Sequence, residues 1–166
     1  MKKIALMLCA AAVVSTPAMA DGRRSVGFNY GLDNDGVVGI QGEFDLSSSA
    51  NNAPVSGQVF WKGYSKSYDR TAGKYQYTYS GFGVAALYDF GPVIKQNTKI
   101  RPYAALGLYT LNNKLSGPTT PSLGVSADSG GLYVAGGVRF AVSPEIRVDL
   151  GLNNIGGLSA GLNFNF

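Results

Sequence analysis

The sequence has no histidine. That removes the base of Ser–His and Asp–His catalytic pairs and the likeliest zinc ligand. It has one cysteine, Cys9, which lies within the first twenty residues. The rest of the chain therefore offers neither a disulfide nor a thiolate. In an oxidising compartment its stability must come from closure and packing. Charge is sparse, at 14% of residues. After residue 20 no apolar run approaches the roughly 20 residues that a spanning helix needs. The small positive charge comes with no basic stripe, so nucleic acid is not an expected partner.

What is present starts with an export signal. Met1, Lys2 and Lys3 give a short positive start, residues 4–14 are almost wholly apolar, and Ala18-Met19-Ala20 is a small-x-small cleavage site. That layout predicts a cleavable signal peptide over 1–20 and one domain over 21–166. The apolar run is too short for an anchor helix. A lipid-attachment reading of Leu6-Met7-Leu8-Cys9 leaves only a stub of hydrophobic segment ahead of the cysteine. Cleavage removes Lys2 and Lys3 and no acidic residue, which lowers the formal charge from +4 to +2.

The remaining chain alternates with period two. Leu158, Ala160, Leu162, Phe164 and Phe166 alternate with Ser159, Gly161, Asn163 and Asn165. Ile146, Val148, Leu150 and Leu152 alternate with Arg147, Asp149, Gly151 and Asn153, and 132–142 follows the same rule. So do 25–32, 38–46, 55–64 and 100–110. This periodicity predicts strands with one apolar face. Ser143-Pro144-Glu145 and 33–36 read as tight turns. The segment 75–90 is different. Tyr75, Tyr77 and Tyr79 occupy odd positions, whereas Val84, Ala86, Tyr88 and Phe90 occupy even ones. A bulge near Gly81-Phe82-Gly83 is expected to absorb the slip. The count is eight strands, most of them eight to twelve residues long, against the 9–11 or so that a tilted strand needs to cross a bilayer. The longer connections expected are 65–74 and 112–129.

A β-sandwich, a soluble ligand-binding barrel and a membrane barrel all use such strands. The face opposite the apolar one is rich in Gly, Ala, Ser and Asn and poor in the Lys and Glu of a wet surface. Small side chains suit the crowded lumen of an eight-stranded barrel. The fold class expected is all-β, an eight-stranded antiparallel up-and-down transmembrane β-barrel whose apolar face meets lipid. Tyr30, Trp61, Tyr64, Tyr77, Tyr79, Tyr88 and Phe90 are candidates for an aromatic girdle, though strand propensity alone also places such residues.

Seven charged residues fall on the predicted inward face: Glu43, Asp45, Lys62, Arg101, Arg139, Arg147 and Asp149. Unpaired charges in a narrow lumen are costly, so these should pair. Glu43 and Lys62 lie on neighbouring strands, and Arg139, Arg147 and Asp149 flank one hairpin. A static salt-bridge plug and a gate that opens by exchanging partners both fit. No metal, cofactor or catalytic residue is expected: the 33–35 turn is too short for calcium's six to eight oxygens, and no helix follows the Gly81–Gly83 glycines to make a phosphate loop.

Several phrases resemble those of small outer-membrane barrels of bacteria, the opacity-type and OmpX-like surface proteins. They are Arg101-Pro102-Tyr103-Ala104-Ala105-Leu106-Gly107, the stretch from Gly136 to Leu150, and the final strand ending in Phe166. The resemblance covers most of 25–166. It implies an outer-membrane location and an assembly signal in Leu162, Phe164 and Phe166. It also implies outer-membrane lipid, periplasmic chaperones and the barrel-assembly machinery as partners, with a monomer as the default. Such barrels include adhesins, surface antigens, narrow pores and enzymes. The enzymes rely on a histidine, which this chain lacks. The functions expected are a structural or surface role with a closed lumen, a narrow low-conductance channel, or a soluble periplasmic barrel for an apolar ligand. The brief connections at 33–35 and 153–157 argue against an adhesin with long loops.

Overall fold

The computed structural model describes residues 24–32, 36–71, 73–94, 99–117 and 125–166, with the side chains of 70 and 125–128 set aside. The expected signal peptide lies outside these residues. Eight strands close into one antiparallel barrel in chain order. They are β1 (Arg24–Gly31), β2 (Val38–Asp45), β3 (Val55–Arg70), β4 (Gly73–Asp89), β5 (Ile100–Ser116), β6 (Val125–Ala141), β7 (Ile146–Asn153) and β8 (Gly157–Asn165). One 3₁₀ turn, Ser47–Ala50, and one helical turn, Gly91–Ile94, follow β2 and β4. β1 closes on β8 from Ser25↔Asn165 to Gly31↔Ser159. Backbone hydrogen bonds tie Arg24 to Phe166, so both ends of the described chain meet at one mouth.

Pleating sends alternate side chains to opposite faces. Here the apolar set faces out: Leu108 is 64% exposed, Leu152 62% and Phe28 59%, while Asn163 is fully buried. That arrangement excludes a sandwich core and a barrel with an apolar pocket. The inner face is packed by Phe60, Ala85, Leu87, Ala105, Tyr133 and Ala135 among polar groups. Gly107 and Gly137 permit the tight coiling. A Cβ on either would collide with a carbonyl of the next strand, that of Val84 or of Leu150.

Two sequence expectations are corrected. No bulge interrupts β4. It pairs with β3 from Val55↔Tyr88 to Arg70↔Gly73, and with β5 from Gln76↔Ser116 to Asp89↔Tyr103, without a slip. The odd positions face inward along the whole strand, so Tyr75, Tyr77 and Tyr79 share a face with Gly81, Gly83, Ala85 and Leu87. What changes at Gly81 is the surroundings. Below it the outer face is Phe82, Val84, Ala86 and Tyr88; above it that face is Ser80, Thr78 and Gln76. Tyr64, Tyr77 and Tyr79 are therefore not girdle residues, whereas Tyr30, Tyr88 and Phe90 are exposed on the outside.

The second correction concerns the expected long connections. Residues 65–74 are mostly strand, since β3 runs to Arg70 and β4 starts at Gly73, and β5 and β6 take up 112–116 and 125–129. β3 to β6 have 16 or 17 residues, against eight or nine in the other four. At about 3.3 Å per residue, the long strands extend roughly 25 Å further. One wall of the barrel thus stands above the other.

Candidate functional site

The lumen is crossed by a charged cluster that four strands assemble. Glu43 from β2 and Arg139 from β6 meet in a fork: Arg139 Nη1 donates to Glu43 Oε1 and Nη2 to Glu43 Oε2, both at 3.0 Å. Arg147 from β7 donates through Nη2 to Glu43 Oε2 at 2.8 Å and through Nε to Asp149 Oδ1 at 2.9 Å. Asn163 from β8 donates to Asp149 Oδ2 at 2.9 Å. Two carboxylates and two guanidiniums therefore neutralise one another, and the fork geometry is the strong form of the pair. The register explains the meeting. Arg139 lies opposite Asp149, and Arg147 opposite Asn163.

An amide layer sits above the ions. Gln41 donates to Asn163 Oδ1 at 2.8 Å and accepts from Asn29 and Gln58, each at 3.1 Å. The guanidinium of Arg139 stacks 4.5 Å from the Tyr103 ring centre. One position is imperfect. Arg139 Nε is 3.9 Å from Asp149 Oδ2, beyond hydrogen-bond reach, and makes no hydrogen bond among the described residues.

The other sequence-predicted residues are placed differently. Lys62 does not meet Glu43. Glu43 lies opposite Gln58, and Lys62 opposite Gly39. Lys62 Nζ donates to Asn153 Oδ1 at 2.7 Å and lies 5.7 and 5.4 Å from the Phe60 and Tyr133 ring centres. Asp45 accepts from the Ser47 N–H at 2.7 Å and so holds the turn after β2. Arg101 pairs at 2.6 Å with Asp89, a partner that the sequence reading missed. The signal for it was present, because Asp89 follows Leu87 and Ala85 at inward-facing odd positions. Leu162, Phe164 and Phe166 project outward from the last strand.

These layers leave little space. A cavity of about 30 Å³ remains beside Lys62, Tyr133 and Arg139. That is room for a water or two. At the mouth holding the chain ends, a vestibule of about 520 Å³ reaches Asp45, Asp89, Arg101, Arg139 and Arg147. Among the described residues no group of three or more Asp, Glu, Cys or His gathers as for a metal ion.

The sequence matches the outer membrane protein beta-barrel domain over residues 6–165. No sequence among curated proteins matches the chain. Solved structures share its fold. The N-terminal β-barrel domain of Pseudomonas aeruginosa OprF aligns with a TM-score of 0.62 at 16% identity, covering 88% of this chain and 100% of that one. Neisserial surface protein A aligns at 0.58 and 18% identity, covering 87% and 96%. A major outer membrane protein of Thermus thermophilus aligns at 0.54 and 10% identity, covering 87% and 99%.

Proposed function

The chain belongs to the family of outer membrane protein beta-barrel domains and is located in the outer membrane, and from that premise we propose a structural, surface-exposed role with a lumen held shut by its own side chains. The closed lumen is supported above all by Glu43, which binds Arg139 and Arg147 together across the barrel. Breaking such a buried pair leaves an uncompensated charge, so the arrangement resists opening. The chain enters the membrane from the periplasm. Its two ends therefore lie there, and the hairpins of the tall wall face outside. Outer-membrane lipid covers the leucine and phenylalanine face. Leu162, Phe164 and Phe166 present the assembly machinery with its signal after passage with periplasmic chaperones. No catalysis is assigned, since no histidine is available to serve as a base.

Single-channel recording of the mature barrel in planar bilayers tests this reading. Only brief, rare current steps are expected. Sustained conductance that changes on Arg139→Ala would overturn the plug. It would support a second reading, a narrow ion channel. What favours that one is the vestibule, which brings solution to Arg147, while Glu43 has two cations to exchange between.

A further inference from the structure

Lys62 is a buried cation in the lumen with no carboxylate partner among the described residues. The ion cluster is already balanced, Glu43 and Asp149 against Arg139 and Arg147. Asp89 is taken by Arg101. Asp45 stands opposite Ser56, six residues back from Lys62 along β3 and so about 20 Å away. What meets the Lys62 ammonium is weaker than a charge. Among the described residues its acceptor is Asn153 Oδ1, and that oxygen also serves two backbone N–H groups. The rings of Phe60 and Tyr133 offer it their faces. An ammonium carries three donors, so two of them end without a described acceptor.

The cavity of about 30 Å³ lies against this lysine. Arg139 lines it as well and brings a second unsatisfied donor, its buried Nε. Asp149 reaches the same cavity, but its oxygens are held by Arg147 and Asn163. The lining therefore sets two cations against one carboxylate that is already engaged. Size and charge together define the occupant. A water's share of the liquid is about 30 Å³, and a chloride or bromide ion is only slightly larger than a water. Sulfate, phosphate and organic acids are too bulky. A water would add two donors to a site already rich in them, whereas a halide only accepts. A buried charge is costly unless it is paired.

We propose that the lumen binds one halide ion, chloride from the surrounding solution, against the Lys62 ammonium. The ion accepts the spare ammonium N–H groups and completes the charge balance of the plug. It is exchangeable, so Lys62→Met removes the buried charge and the need for the anion together. The proposal goes beyond the salt-bridge plug, whose four ions need no such partner.

Urea unfolding of the mature barrel in phosphatidylcholine vesicles tests it, with sodium chloride or bromide replacing sodium gluconate at constant ionic strength. Constant ionic strength removes general screening from the comparison. A ligand held by the folded state alone raises the folding constant in proportion to its concentration once the site is filling. Wild type is therefore expected to gain about tenfold in folding constant for a tenfold rise in either halide above half-saturation. Lys62→Met is expected to keep the heat-modifiable gel mobility of a folded barrel and to show no halide dependence. Crystals grown in bromide should give an anomalous peak beside Lys62 Nζ. Equal halide dependence in wild type and Lys62→Met would overturn the proposal, because the ion would then sit elsewhere. So would a wild type indifferent to halide, which would mean a neutral lysine or a water in the cavity. That second result in an electrically silent barrel would leave the closed lumen standing.

Discussion

Arg139 and Glu43 stand 96 residues apart in the chain and face each other across the lumen through two 3.0 Å hydrogen bonds. Each is almost wholly buried, so neither charge has water to fall back on. Arg139→Ala is expected to destabilise the barrel by about 3–5 kcal/mol, the cost of an orphaned buried charge. Urea unfolding in lipid vesicles measures it. The Glu43→Gln, Arg139→Gln double variant should lose less than the two single variants combined. A coupling on the order of 1–3 kcal/mol is expected between groups in contact, and strict additivity would remove the pair from the account.

Lys62 behaves differently because its partner does not depend on it. Asn153 Oδ1 also accepts from the Gly156 N–H at 2.7 Å and the Ile155 N–H at 3.2 Å. Lys62→Met therefore removes a buried charge and leaves no acceptor unsatisfied. Stability should stay level or rise, by on the order of 1 kcal/mol. A loss comparable to that of Arg139→Ala would mean that Lys62 has a counter-charge the present account omits.

Gly137 and Gly136 are neighbours with opposite tolerances. A Cβ at Gly137 collides with the Leu150 carbonyl and the Gly151 Cα. At Gly136 the nearest atom is the Tyr103 carbonyl oxygen at 3.4 Å. Gly137→Ala should cost about 1–3 kcal/mol, as overpacking does. Gly136→Ala should cost far less. Similar urea midpoints for the two variants would contradict the close strand approach.

Leu150 and Thr78 both point outward, but into different media. Leu150→Arg places a charge in lipid and should cost about 2–4 kcal/mol. Thr78→Arg stands above the lipid band and should cost nearly nothing. Equal losses in the unfolding assay would put the membrane boundary in the wrong place.

Much of this was legible in the sequence, for a physical reason. β7 and β8 lie between lipid and lumen over their full length, so Ile146 to Asn153 and Leu158 to Phe166 show alternation without a break. β4 passes from lipid into water, and its polarity pattern reverses while its backbone does not. A reader of Tyr79, Phe82 and Val84 sees a slipped phase and infers a bulge. The inward-facing charges were also visible as a set. So was the grouping of Arg147 with Asp149, which pair at 2.9 Å; the reach of Glu43 to Arg139 across the lumen was not, because no local spacing encodes a contact between β2 and β6. Lys62 shows the same limit. It stands one strand from Glu43 but four residues away in register, opposite Gly39.

The reversal along β4 is the most direct test of sidedness. The chain after residue 20 has no cysteine, so single cysteines can be placed from Tyr75 to Tyr88, labelled with a fluorophore and quenched by nitroxide-bearing lipid. Quenching is expected at 82, 84, 86 and 88, and at neither 76, 78 and 80 nor the odd positions. Quenching at 75, 77 and 79 together with 82, 84, 86 and 88 would restore the bulge and contradict the account.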